Sequence, residues 1–270
     1  MNTETRTIRQ LETEIIRHGQ GPSLLYLHSH LGFWKSEAFM DALAKHYSVI
    51  APFHPGFGGS KVADYMASVD DLSYFYLDLI DELGLTGIPV VGSSFGGWLA
   101  LSIAVKRPEI FSSLTLINPV GLHFGGATDE DIADIFSLDE IEFSERGFAN
   151  PSNGRKDYKS MSDEELLISS RNREATARYA WSPCFYDPKL KHNLHRISSP
   201  VRILWGAQDK LTSDGYGQKF ADILPHASYA ELPDAGHFPS IETPAEAASE
   251  IAAFLASDEA KIAASASKSH

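Results

Sequence analysis

The sequence predicts an α/β fold in which a mostly parallel sheet carries helices on both faces. Short apolar runs, such as those at 23–28 and 47–52, are typical of strands that are buried on both faces of a sheet. Segments with helical periodicity alternate with such runs up to residue 118 and again after residue 200. Residues 120–199 break this alternation, and we expect them to form a mainly helical insertion.

Strands are predicted wherever an apolar or alternating run is bounded by turn residues. The first two should form a hairpin with a tight turn, and the later ones should pair in parallel through helical connections. The predicted strands lie at 7–11, 14–18, 23–28, 47–52, 89–92, 114–117, 201–205 and 229–232.

Helices are predicted from apolar residues that recur at helical spacing. One such face runs from 72 to 83, with Asp70 or Asp71 as its N-cap and Gly84 as its end. A second helix is expected at 96–106. The pattern Thr243-Pro-Ala-Glu246 is that of a capping box and should begin a helix that ends near residue 255.

Composition excludes several classes of function. The 270 residues include 43% hydrophobic side chains, enough for a large core, and carry a net charge of −13 that disfavours nucleic acid and anionic membranes as partners. No apolar run approaches the roughly 20 residues that span a bilayer, and the polar amino terminus lacks a secretory signal. With Cys184 as the single cysteine, we expect a cytoplasmic protein that acts on a small molecule; a homo-oligomer stays open.

The sharpest motif is Gly92-Ser93-Ser94-Phe95-Gly96. It follows the strand at 89–92 and precedes the helix at 96–106, which is the strand–turn–helix setting of a nucleophile elbow. Such a turn lifts the central serine above the sheet edge, and glycines flank it because strand and helix pass closely. The motif therefore predicts that Ser94 is a nucleophile.

A serine nucleophile needs a base within hydrogen-bond reach, and the base needs a group that orients it. Asp209 follows the strand at 201–205, and His237 follows the strand at 229–232. The carboxyl ends of parallel strands meet at one edge of a sheet, which is also where Ser94 is expected. Asp234 and Asp214 are weaker candidates for the acid. Asn118 also follows a strand, but its amide cannot stabilise an imidazolium as a carboxylate does.

These motifs resemble the α/β-hydrolase superfamily, in its cap-bearing subgroup. The resemblance extends from residue 24 to residue 255 and includes His28-Ser-His-Leu-Gly32, the loop at 52–60 and the serine, aspartate and histidine in the superfamily's chain order. It implies a core of about eight strands formed by 1–119 and 200–256 and a helical cap at 120–199. The residues at 257–270 are small and polar, so we expect them to form a flexible tail. It also implies Ser94 as nucleophile, His237 as general base and acid, and Asp209 as the group that orients His237.

The resemblance further implies an oxyanion hole built from the backbone N–H groups of Phe95 and His30. Relatives have glycine where this chain has Ser29, which leaves the second donor less well defined. Whether the His30 side chain faces the site or only fills space beside Trp34 stays open. Candidate substrate-binding residues are His28, Ser29, Trp181 and Phe238.

Serine at the elbow favours acyl transfer, whereas the epoxide hydrolases and haloalkane dehalogenases of this subgroup have aspartate there. We expect hydrolysis of a small, largely apolar ester or related carbonyl compound, without cofactor or metal. An alternative is a hydrolase that cleaves carbon–carbon bonds of diketone-type intermediates with the same triad. A ligand receptor on the hydrolase fold, or a cofactor-free oxygenase, would also fit these motifs.

Overall fold

Eight strands form one sheet in the computed structural model, which describes residues 1–126 and 129–257. The strands are β1 (Asn2–Ile8), β2 (Leu11–His18), β3 (Ser23–Leu27), β4 (Ser48–Pro52), β5 (Ile88–Ser93), β6 (Phe111–Ile117), β7 (Val201–Gly206) and β8 (Ala227–Leu232). Their order is β1-β2-β4-β3-β5-β6-β7-β8. The first two strands pair antiparallel, as do β2 and β4, and every later pair is parallel. The predicted mostly parallel sheet is confirmed.

Helices cover both faces of this sheet. They are α1 (Glu37–Ala44), α2 (Val69–Glu82), α3 (Phe95–Ala104), α4 (Glu140–Gly147), α5 (Pro151–Gly154), α6 (Asp163–Ala180), α7 (Leu190–Asn193), α8 (Tyr216–Ile223), α9 (Pro239–Glu242) and α10 (Pro244–Ala256), with a short 3₁₀ helix at Leu194–Arg196. Alternate residues of β3 point to opposite faces: Leu25 and Leu27 join the core beneath α2, α3 and α8, and Leu24 and Tyr26 join the core beneath α1 and α10. The buried strands therefore separate two apolar layers.

The segment between β6 and β7 carries α4 to α7 and, among its described residues, contributes no strand to the sheet. Its longest helix, α6, is fixed to the loops that follow β3 and β4. Asn172 donates to the carbonyl of Leu31 (3.2 Å) and accepts from the N–H of Gly58 (3.0 Å). The Tyr179 hydroxyl donates to the carbonyl of Pro55 (3.0 Å). These contacts place α6 over the carboxyl edge of the sheet, where the site is expected.

Three local predictions differ from the structure. The hairpin turn lies at Arg9 and Gln10, inside the strand predicted at 7–11. Both residues adopt left-handed φ angles (45° and 71°), and the turn was not predicted because it lacks the usual glycine or asparagine. Helix α2 begins after Ser68, whose side chain accepts from the Asp71 N–H, instead of being capped by Asp70 or Asp71. The expected capping box at Thr243 does not form, since Thr243 donates to the carbonyl of Pro239 (3.4 Å).

The predicted tail at 257–270 lies outside the described residues except for Ser257. Within 1–126 and 129–257, no helix combines the length and the apolar composition needed to cross a bilayer.

Candidate active site

Ser94 lies in a strained turn between β5 and α3. Its φ of 49° falls in the left-handed region, which is unfavourable for serine and is imposed by the sharp reversal from strand to helix. A Cβ at Gly92 would lie 2.6 Å from the carbonyl oxygen of Gly96, and one at Gly96 would overlap the carbonyl of Leu27. Close backbone packing on both sides therefore requires glycine and fixes Ser94 at the sheet edge.

Three side chains meet at this edge in one hydrogen-bonded chain. The Ser94 Oγ lies 2.8 Å from the His237 Nε2, and the His237 Nδ1 lies 2.8 Å from the Asp209 Oδ2. Ser94 and His237 are buried, with 1% and 3% of their surface exposed. The structure thus brings together the three residues predicted as nucleophile, base and orienting acid, at distances that allow proton transfer from serine to imidazole.

The Asp209 carboxylate is held by several donors. Its Oδ2 accepts from the Asn118 Nδ2 (3.0 Å) and the Thr212 Oγ1 (3.1 Å), and its Oδ1 accepts from the Leu211 N–H (2.8 Å). Burial acts to raise the pKa of Asp209, but the adjacent His237 and the hydrogen bonds outweigh it, so the pKa lies below its ordinary value. Asp209 is therefore ionised and fixed in position.

Asn118 is a site residue whose role the sequence did not reveal. While its Nδ2 donates to Asp209, its Oδ1 accepts from the Gly206 N–H (2.9 Å). Asn118 thus connects the ends of β6 and β7 and holds the same carboxylate oxygen that His237 contacts. The sequence feature that could have indicated this role is the position of Asn118 directly after β6.

The loop that carries His237 is tied to the segment after α4. The His237 N–H donates to the carbonyl of Gly147 (2.8 Å). The Glu242 carboxylate accepts from the N–H groups of Gly236 (2.7 Å), Ala149 (3.0 Å) and Asn150 (3.0 Å). A single carboxylate therefore joins the histidine loop to the predicted cap, an arrangement that no local sequence pattern predicts.

The two backbone N–H groups predicted as oxyanion donors have no hydrogen-bond acceptor in the described part of the chain. Phe95 is the first residue of α3, so its N–H has no acceptor within the helix. The N–H of His30 has no acceptor among the described residues, whereas the next one, that of Leu31, donates to the Ser29 Oγ (3.2 Å). The Ser29 hydroxyl thereby supports the turn at the position where the resemblance implies glycine.

His28 has no exposed surface, although the sequence suggested it as a substrate contact. It is fully buried, its Nδ1 bonds to the Ser29 carbonyl (2.7 Å), and its Nε2 accepts from the His54 N–H (3.1 Å). Burial lowers the pKa of His28 to about 3, so the ring is neutral. His28 therefore packs and hydrogen-bonds the loops after β3 and β4.

A partly open pocket of about 90 Å³ lies between the loop after β3 and the 120–199 segment. His30 lines it, and the His30 ring packs against Phe143, Phe185 and Phe238 at centroid distances of 5.6–6.0 Å. The other lining residues are Leu31, Ile135, Phe136, Leu138, Asp139, Glu140, Phe143, Gly154, Lys156, Tyr158, Ser169, Asn172, Arg173 and Thr176.

The pocket stops short of the hydrogen-bonded serine and histidine. Phe238 is buried and lies between the His30 ring and His237, 4.9 Å from the latter by ring centroids. Trp181, a predicted substrate contact, is 58% exposed, packs on Phe136 and does not line the pocket. Within the described residues, no group of three or more His, Cys, Asp or Glu side chains is arranged to hold a metal ion.

Residues 18–250 match the alpha/beta hydrolase family. The chain belongs to this family. It is 26% identical to 2-hydroxy-6-oxo-6-(2'-aminophenyl)hexa-2,4-dienoic acid hydrolase of Metapseudomonas resinovorans, over 91% of this chain and 88% of that protein. It is 25% identical to monoacylglycerol lipase abhd6-B of Xenopus laevis, over 88% and 77% of the two chains.

Solved structures share the fold of this alpha/beta hydrolase. A thermophilic esterase from Thermogutta terrifontis superposes with a TM-score of 0.75 at 22% identity, over 94% of this chain and 98% of that one. The family, the relatives and the fold together identify the chain as a hydrolase.

Proposed function

We propose that this hydrolase cleaves a small ester or related carbonyl compound through an acyl-enzyme formed on Ser94. The observation that supports this best is the chain of two 2.8 Å contacts from Ser94 through His237 to Asp209 at a nucleophile elbow. A neutral hydroxyl is a weak nucleophile, and an imidazole at this distance can remove its proton as attack proceeds.

The proposed reaction begins when the Ser94 Oγ attacks the substrate carbonyl and its proton passes to the His237 Nε2. The new positive charge on the imidazole faces the Asp209 carboxylate, which is ionised in its buried, multiply bonded setting. The carbonyl oxygen becomes an oxyanion, which accepts hydrogen bonds from the N–H groups of Phe95 and His30. His237 then returns the proton to the leaving group.

Water completes the cycle in the same geometry. It attacks the acyl carbonyl, gives its proton to the His237 Nε2 and releases the acid, while the proton returns to Ser94. Every step uses a side chain or N–H group at the carboxyl edge of the sheet. The predicted cap, residues 120–199, would restrict entry to small substrates, since α6 covers this edge of the sheet.

A second candidate is hydrolysis of a carbon–carbon bond next to a ketone. The relative from Metapseudomonas resinovorans, which matches most of the chain, is named as a hydrolase of a 2-hydroxy-6-oxo dienoic acid. The same base and oxyanion donors would serve such a reaction. This second candidate concerns the bond that is broken and leaves the assignment of the three residues unchanged.

The two candidates are separated by assaying one enzyme preparation on short acyl esters and on a 2-hydroxy-6-oxo dienoate. Turnover of the esters at least tenfold above that of the dienoate supports the first proposal, and the reverse ratio supports the second. The Ser94→Ala variant is the control, and it should be inactive on whichever substrate is turned over. Retained activity in that variant would contradict both.

A further inference from the structure

The loop after β3 is hydrogen-bonded at every carbonyl from residue 28 to residue 31, although it belongs to no helix or strand. The bonds run from the His54 Nε2 to the His28 carbonyl (3.0 Å), from the His28 Nδ1 and the Gly32 N–H to Ser29 (2.7 and 3.0 Å), from the Thr176 Oγ1 to His30 (3.3 Å) and from the Asn172 Nδ2 to Leu31 (3.2 Å). The N–H of His30, the second candidate oxyanion donor, lies inside this loop. Its direction is therefore set by the donors that hold the carbonyls around it.

His54, in the loop after β4, is the donor on the side of the sheet core, and its own ring is held from behind. A carbonyl only accepts, so the His54 Nε2 that reaches the His28 carbonyl carries the ring proton. The His54 Nδ1 is then an acceptor, and the Tyr76 hydroxyl donates to it at 2.6 Å. Burial lowers the pKa of His54 and raises that of Tyr76, so the imidazole is neutral and the phenol keeps its proton. Tyr76 on α2 therefore fixes the ring that holds the His28 carbonyl.

The same imidazole also contacts the residue that carries the first candidate oxyanion donor. The His54 ring packs on the Phe95 ring at a centroid distance of 5.6 Å, and both side chains are fully buried. Within the described residues, His54 has no hydrogen bond to Ser94 or His237, so it takes no part in the transfer of the serine proton. His54 therefore lies between the two residues that supply the candidate N–H groups, bonded to the loop of one and packed against the side chain of the other.

We propose that His54, oriented by Tyr76, is a positioning residue that sets the directions of the two oxyanion N–H groups. The inference rests on the proposed function, because it assumes that an oxyanion forms at Ser94. Fixed donors act on the negative charge that develops in the transition state, so a change in their direction lowers kcat more than it weakens substrate binding. A residue that only stabilises the fold would change the thermal midpoint and leave kcat of the folded enzyme unaltered.

The first test replaces the donor and then restores it. His54→Phe keeps an aromatic ring beside Phe95 and removes the N–H that reaches the His28 carbonyl. On p-nitrophenyl acetate we expect kcat to fall by at least about tenfold, while KM stays within about twofold of the wild type. His54→Gln keeps a side-chain NH₂ donor and should retain roughly a third or more of the wild-type kcat. The affinity for a trifluoromethyl ketone, whose adduct with serine carries an oxyanion, should fall in parallel with kcat.

The second test removes the Tyr76 hydroxyl. Tyr76→Phe should lower kcat about threefold in the wild type, because the His54 ring is then free to turn, and should have no further effect on kcat in His54→Phe, where no ring nitrogen remains to be held. Tyr216→Phe is the matched control. Tyr216 is also buried, and its hydroxyl donates to the Leu122 carbonyl (2.7 Å) away from the loop after β3. The control should lower the thermal midpoint to a similar degree and leave kcat within about twofold of the wild type.

The outcomes separate this inference from the proposed function. A folded His54→Phe enzyme whose Ser94-dependent kcat falls by less than about threefold, or equal losses of kcat in Tyr76→Phe and Tyr216→Phe, would overturn the positioning role alone. Turnover that persists in Ser94→Ala would overturn the proposed function instead. If His54→Phe does not fold, the comparison of Tyr76→Phe with Tyr216→Phe decides, since only the first should lower kcat. If the ester is not turned over, the ketone affinity measured by calorimetry decides, and equal affinity in the wild type and Tyr76→Phe would refute the role.

Discussion

Replacing Asp209 by asparagine changes one atom at the most highly coordinated point of the candidate active site. The Asp209 Oδ2 accepts from His237, Asn118 and Thr212 at 2.8–3.1 Å. An amide oxygen in that place has no charge with which to stabilise an imidazolium. An amide NH₂ group there forces the His237 Nδ1 to accept, which moves the ring proton to Nε2 and removes the base that Ser94 needs.

We therefore expect Asp209→Asn to lower kcat by about three to four orders of magnitude, which corresponds to about 4–5.5 kcal/mol of transition-state stabilisation. The fold should persist, since the new side chain keeps the shape of the old one and can still hydrogen-bond to Asn118 or to the Leu211 N–H. Initial rates on a short acyl ester measure the first effect, and the thermal midpoint measures the second.

The matched control is Asp234→Asn, which removes a carboxylate three residues before His237. Asp234 is exposed and has no hydrogen bond to His237 among the described residues, so activity should stay within about twofold of the wild type. An Asp209→Asn enzyme that stays folded and retains more than a tenth of the wild-type kcat would refute the reasoning, and so would a large loss in Asp234→Asn alone.

Other contacts in the molecule support three more predictions. Glu242→Gln should lower kcat about tenfold and the thermal midpoint by a few degrees, since an amide cannot accept all the N–H groups that hold the His237 loop; unchanged kinetics would contradict this. Burial lowers the pKa values of His28 and His54 below the unfolded value near 6.5, so the unfolded chain binds more protons than the folded one. The free energy of unfolding should therefore fall by about 1.4 kcal/mol per pH unit for each ring as the pH drops below 6.5. Equal urea midpoints at pH 7 and pH 5 would refute this prediction. Short acyl esters should exceed long ones in kcat/KM, because α6 covers the edge that carries Ser94 and a covered site gains at most about 1–3 kcal/mol per methylene until it is full; a profile still rising at long chains would point to a lipase.

The fold could be predicted from the sequence because the patterns typical of strands and helices recur along the chain. The buried strands are short apolar runs, α2 has one apolar face, and the alternation of strands with helices leaves few topologies. Ser94, His237 and Asp209 were predictable because each follows a strand, and the carboxyl ends of parallel strands meet at one edge. These inferences need only local pattern and chain order.

Features set by long-range contacts could not be predicted from the sequence. The turn at Arg9 and Gln10 has no glycine signal, because the pairing of β1 with β2 imposes its conformation. Glu242 joins the His237 loop to residues more than 85 positions earlier, and His30 and Thr176 line one pocket only when α6 folds over the sheet edge. The residues that line the pocket are far apart in the sequence and follow no recognisable motif, so only the structure shows that they lie together.

The most direct test of the central claim is to treat the protein with a serine-directed phosphonate and locate the adduct by peptide mass spectrometry. The 2.8 Å contact between the Ser94 Oγ and the His237 Nε2 predicts a single adduct on Ser94, formed in step with loss of hydrolysis. His237→Ala should slow its formation by roughly a thousandfold or more. An adduct on another residue, or full hydrolytic activity after complete labelling of Ser94, would contradict the account.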